Sequence, residues 1–378
     1  MKKLFLATAI SASLMACNSD DSNPSGSEPT PQGVSGTIEL IDVDTNEITV
    51  NGHRYNADII AYNGTLLALN QLQKNMSVNI MTSDQDGTQV RLNPTIVGVV
   101  SNVNHTENTF TINGVVLTFP ELSDDIDNGD WVMVSSLPAA DGGYTVLSVV
   151  EFDDVNLIGQ AEIEGLISAL TGTHFQLANT IAVDYSNAVI DDNDTLRNGQ
   201  WVEVKGTYNN NIFDATEIDV EDYEDLGDDS EVEGIITWVA NDKTSFELNS
   251  RGRFLINNQT KFDDGNLNNL TAGQMVEVDS VKQGDNRLAT EIEFDEQDND
   301  DWELFEFEFD GIVSDVTRTA GIVTSFKMNG QTPQVIQTDA KTVYDEFNQV
   351  NFVDGIDVEV EGVIINGDFV AREIEIND

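Results

Sequence analysis

Carboxylates are the groups with which this chain could do chemistry: 68 of its 378 residues are Asp or Glu against 17 Lys or Arg, a formal charge of −51. Hard cations take several carboxylate and carbonyl oxygens at once, and three acidic stretches offer them. Asp124, Asp125 and Asp127 stand in DDIDNGD; Asp295, Glu296, Asp298, Asp300 and Asp301 stand in DEQDNDD; residues 221–231 form the third. No cofactor is required; the ions these stretches could take are Ca2+ or Mg2+, stiffening loops and linkers, and the competing expectation is that they are solvated linkers of high charge. Asp42 to Glu47 also place oxygens at alternate positions, but Glu47 stands where an EF-hand loop needs Gly.

Acid–base chemistry is less well specified. Two carboxylates suffice for glycoside hydrolysis, and with so many present any spacing can be found. His53, His105 and His174 share no metal-binding spacing, and the chain has no nucleophile elbow, HExxH or phosphate-binding Gly loop. The chain therefore reads as non-catalytic; the alternative is a carboxylate-based hydrolase, or its accessory, acting on envelope polysaccharide through a cleft between repeats. Trp131 and Trp201 hold equivalent positions and are the candidates for stacking on a ligand; the competing expectation is packing under a loop or against the next repeat. Nucleic acid is excluded by the negative field, because binding it needs a Lys/Arg surface.

Strands must position these residues. Five stretches open with a Gly inside an apolar run: VSGTIEL (34–40), IVGVVSN (96–102), IEGLISA (163–169), VEGIITW (232–238) and FDGIVSD (309–315). A short alternating strand follows each (EITVNG, TFTING, HFQLAN, SFELNS, SFKMNG), and a third signature comes later (KNMSVNI, NGDWVMV, NGQWVEV, AGQMVEV, DGIDVEV). Three anchors at a period of roughly 60–75 residues mean five small units of one kind.

Each unit reads as five strands with a loop or short helix between the third and fourth. Gly36, Gly98, Gly165, Gly234 and Gly311 fall where a long first strand would bend or bulge. The fold expected is all-β: five tandem OB-like five-stranded barrels over 33–93, 94–154, 155–222, 231–296 and 305–378. A five-bladed propeller is the alternative, with four strands per unit and the terminal repeats in contact. Ile48, Phe110, Phe175, Phe246 and Phe326 share one core position. Glu203, Glu277 and Glu359 alternate with the fourth-strand valines, as Glu217 and Asp219, Glu291 and Glu293, and Glu373 and Glu375 do in the fifth. Paired, these strands would carry an acidic ladder on one outward face, to be offset by cations, a basic partner or salt.

Residues 1–16, MKKLFLATAISASLMA, have the build of an export signal, too short to span a bilayer. Leu14-Met15-Ala16-Cys17 resembles the lipobox of bacterial lipoproteins, which implies lipidation of Cys17, the one cysteine in the chain. Residues 17–32 then form a flexible tether. The resemblance also implies, from Asn18, sorting to the outer membrane. The repeat order resembles a bacterial domain-of-unknown-function family found in tandem copies in exported lipoproteins; it implies fold and location and no catalytic residue. The expectation is a lipid-anchored scaffold of the cell envelope that binds or spaces cations, glycans or a partner protein, and that touches the membrane only through its lipid.

Overall fold

Period-two alternation of apolar and polar side chains puts one face of each strand inside, and strands form wherever the sequence alternates. The computed structural model describes residues 31–377 apart from 84–86, 154–158, 160, 179, 224–225, 285, 296–301, 330–333 and 346. The expected signal, Cys17 and the tether to Thr30 lie outside the described residues, as do Glu296, Asp298, Asp300 and Asp301. The described chain is all-β, with short 3-10 turns and no α-helix among the described residues.

The strands fall into five consecutive groups. In unit four, Asp229–Val239 pairs with Ser245–Leu248, which pairs with Gly252–Leu255. Gly252–Leu255 runs parallel to Asn286–Phe294, which pairs with Met275–Gln283, and that strand returns to the first. The ladder is a closed cycle in the order 1-2-3-5-4-1. Unit three closes the same way with Ala161–Ser168, His174–Leu177, Ile181–Asp184, Trp201–Asn209 and Ile212–Val220. Unit five does so with Glu306–Thr319, Ile322–Asn329, Gln334–Gln337, Asp357–Ile365 and Asp368–Ile376. Such cycles are not propeller blades, whose outermost and innermost strands do not meet.

Units one and two have the same strand order, but no third-to-fifth pairing joins their described strands. In unit one, Ile59–Tyr62 pairs with the last strand, Gly87–Leu92, instead of the third strand His53–Asn56. Equivalent short strands, Val189–Ile190, Lys261–Asp263 and Val343–Tyr344, lie parallel to the last strand in units three to five. They precede the 3-10 turns at Asp191–Asn193, Leu267–Asn269 and Gln349–Asn351. Two or three residues give no periodicity to read, so these strands are invisible before folding.

The anchor glycines make room rather than bend the strand. In unit four the bulge comes later, between Ile236 and Trp238. At Gly234 a Cβ would overlap the side chain of Asn249, whose Nδ2 donates to the Glu233 carbonyl (3.1 Å) and whose Oδ1 accepts from Ile235 N (2.9 Å). Gly98 and Asn113 repeat the arrangement, Nδ2 donating to the Val97 carbonyl at 2.8 Å. Both asparagines sit at positive φ (53° and 47°), a conformation Asn tolerates better than most residues.

Separate beads are not what forms. Pro31–Asp378 is one compact unit. The first strand of unit one, Gly33–Asp42, pairs in parallel with the first strand of unit four, Val34 opposite Glu231. The first strand of unit two, Ile96–Asn104, pairs with that of unit three, Val97 opposite Glu162. Ile48, Phe110, Phe175, Phe246 and Phe326 are all buried, and the cores of units two and three merge into one cluster.

Candidate functional site

Three strands carry the acidic ladder, not two. Glu164 of the first strand faces Glu203, which faces Asp219; the corresponding rows are Glu233–Glu277–Glu293 and Asp310–Glu359–Glu375. The first member immediately precedes the anchor glycine (IEG, VEG, FDG), a signal legible in the sequence but hidden by reading the run as apolar. In unit one the same row is Ser35–Asn79–Arg91, and in unit two Val97–Met133–Val150.

Neighbouring repeats cover the row of unit two and the first members of the rows in units three and four, while Asp310 and Glu375 of unit five are exposed. Unit two's apolar row, with Trp131 and Phe152, is buried against the core of unit one. In unit four, Glu233 accepts from Thr37 N (2.8 Å) and Thr37 Oγ1 (3.0 Å) of unit one. Two residues earlier, Glu231 lies 3.3 Å from His53 Nε2. Burial pushes the carboxyls of Glu231 and Glu277 up to about 8, and their acidic neighbours add to the effect.

Unit three holds the densest convergence. Glu164 is fully buried; its Oε2 accepts from Trp201 Nε1 at 2.9 Å and pairs with Arg251, which arrives from the second hairpin of unit four. Arg251 also lies 3.7 Å from Glu221 and over the Trp201 ring. Glu162, 1 % exposed, accepts from Tyr62 of unit one at 2.7 Å, and Lys205 pairs with Glu203. Burial raises the Glu162 and Glu164 carboxyls, and it pushes Glu221 up to about 8. One oxygen each from Glu164, Glu203 and Glu221 lie within 4.8 Å of one another, so these are the residues that could hold a metal ion. Glu221 opens the 221–231 stretch, whereas Arg251 carried no sequence signal.

A different balance holds at the seam of units four and five. Burial alone would raise Glu247, but Lys341 (3.3 Å) and Arg372 (3.2 Å) bring it down to about 2. Thr237 donates to it at 2.8 Å, and Asp339 pairs with Arg372 at 3.2 Å. Those charges neutralise one another.

Among the described loop carboxylates, Asp124, Asp125 and Asp127 are not part of a group of converging ligand oxygens. Asp124 points into solvent with His105 Nδ1 3.9 Å away. Asp125 and Asp127 lie in turns, their backbone N–H groups donating to Ser123 Oγ and Asp130 Oδ2. Without burial, like charges spread into water. Asp42 accepts from the backbone of Asp44 and Thr45 instead of forming an ion loop, and Asp295 follows the last strand of unit four. Trp131 and Trp201 are 3 % and 5 % exposed, so neither presents a face for stacking. His174 pairs with Asp184 at 3.4 Å, His53 with Glu231 and His105 with Asp124, each with a different carboxylate.

Residues 164–219, 233–293 and 310–375 match the family model of DUF5666, a domain of unknown function. These segments are units three, four and five, the three whose ladders close. No curated protein matches. Among solved structures, "drosophila Unr CSD456" is similar, at 13 % identity over 57 % of this chain and 96 % of that one, with a TM-score of 0.17.

Proposed function

We propose that this array of domains of unknown function is a non-catalytic scaffold of the bacterial cell envelope, made of OB-like barrels and held to the outer membrane by a lipid on Cys17. The 1-2-3-5-4-1 cycle supports the OB-like class for units three to five, with units one and two as opened versions of it. One observation carries the functional reading: the covered carboxylates Glu162, Glu164, Glu231 and Glu233 of units three and four face other repeats, where Tyr62, Arg251, His53 and Thr37 meet them. Groups so covered hold the array together and do not meet a polymer substrate. The outer surface, strongly acidic, suits cationic ligands or a basic partner and repels nucleic acid.

A hydrolase is the second reading. Glu221, with its carboxyl at about 8, lines a cavity of about 210 Å³ with Arg91, Tyr223 and Arg251, and a carboxyl kept protonated near neutral pH is what a general acid needs.

The test uses the full chain expressed in a bacterium that processes lipoproteins. Labelled palmitate enters the wild type and not Cys17→Ala, which leaves the outer-membrane fraction. The purified protein leaves envelope polysaccharide intact. A wild type that is unlabelled overturns the anchor; polysaccharide cleavage abolished by Glu221→Gln overturns the non-catalytic reading.

A further inference from the structure

We propose that Glu164, Glu203 and Glu221 form a calcium site that locks the seam between units three and four. The three residues come from separate elements that the backbone holds in place. Glu164 and Glu203 stand directly opposite in paired strands, and Glu221 N donates to the Trp201 carbonyl at 2.9 Å just after the fifth strand. Ca2+ takes oxygens at about 2.3–2.6 Å, so ligands facing each other across the ion stand about 5 Å apart and adjacent ones closer. Three oxygens within 4.8 Å of one another fit that sphere. Mg2+, at about 2.0–2.1 Å, demands a tighter and more regular set.

A second observation concerns the same carboxylate. Glu164 has two carboxylate oxygens, and Oε2 is taken by Trp201 and Arg251. The remaining oxygen, Oε1, is buried with no hydrogen-bond partner. A buried anionic oxygen without a donor is strongly unfavourable unless a proton or a cation joins it. The charges point the same way: Glu162, Glu164, Glu203, Glu217 and Glu221 face only Arg251 and Lys205, five negative against two positive. A divalent ion offsets most of that excess. Without it, protons fill the role, and the carboxyls of Glu164 and Glu221 are raised accordingly. Glu221 lines the cavity between units one, three and four, which gives the ion a way in.

Terbium tests the site, because Tb3+ occupies calcium sites and is excited through a nearby tryptophan, here Trp201. With the full chain at physiological ionic strength, Tb3+ emission on tryptophan excitation is expected. Calcium in the micromolar to millimolar range should displace it, and magnesium should do so about tenfold less readily. Glu203→Gln and Glu221→Gln each weaken calcium binding by roughly tenfold or more, while Asp124→Asn with Asp127→Asn leaves it unchanged. Unfolding curves in chelator confirm that the variants fold; if Glu221→Gln does not, half-buried Glu203 decides. Emission that millimolar calcium leaves in place, equal displacement by magnesium, or a Glu203→Gln variant that binds calcium like the wild type overturns the assignment.

Discussion

Glu164 and Arg251 lie 87 positions apart and meet in a buried ion pair where two repeats join. The pair does more than fasten two units. Arg251 also reaches Glu221 and lies over Trp201, so one guanidinium holds the first strand, the fourth strand and the outgoing linker of unit three.

Removing that cation leaves Glu164 buried and unpaired. Arg251→Met is expected to lower stability by about 3–5 kcal/mol at pH 8, the usual loss when one member of a buried pair is removed. Protonating Glu164 removes the uncompensated charge, so the deficit shrinks towards pH 5. Urea unfolding of both proteins at the two pH values measures it. A deficit that is equal at both, or absent at pH 8, would show that Arg251 does not neutralise Glu164.

Stability also falls as the solution becomes more alkaline. Glu221, Glu231 and Glu277 have folded-state carboxyls at about 8, against 4.5 for the ordinary group. Between those values the unfolded chain has released protons that the fold retains. Folding takes up protons there, and stability decreases as pH rises from about 5 to 8, levelling above it. Thermal unfolding in chelator should show this decline, and Glu231→Gln should flatten it. A wild-type melting temperature that rises from pH 5 to pH 8 would contradict the assignment.

Gly234 and Asn249 predict a coupling. Gly234→Ala drives a methyl into the Asn249 amide and is expected to cost about 1–3 kcal/mol, the usual range for overpacking. Asn249→Gly keeps the positive φ but loses two hydrogen bonds. The double variant should lose less than the sum of the two, because the overlap has gone. Strict additivity, read from a double-mutant cycle in urea, would mean that the glycine serves some other purpose.

Much of the repeat was legible in the sequence, because alternation reports burial directly: Phe246 and Leu248 point inward, as their spacing requires. The acidic ladder was legible in two of its three strands. Its third member was obscured because Glu164, Glu233 and Asp310 sit between apolar residues and the anchor glycine, where a mean over the run conceals a single charge. What covers the ladder could not be read at all. That Tyr62 meets Glu162, or Arg251 meets Glu164, depends on how repeats are placed in space, and no period along the chain encodes it. The same limit applies to the dense charge of 124–127, where Asp124 stands in solvent. Counting carboxylates finds where they are many, whereas ion binding requires that they be held close and away from water.

The pairing of Val34 with Glu231 joins positions 197 apart in the chain. A chain delivered from its N-terminus presents the edge of unit one long before the strand that covers it exists. Until residue 232 has emerged, that edge is open to any other extended segment, including the same strand of another molecule. The array therefore has a vulnerable interval in its biogenesis, lasting through more than half of its length. Whatever escorts the nascent protein has to guard its first strand for that time.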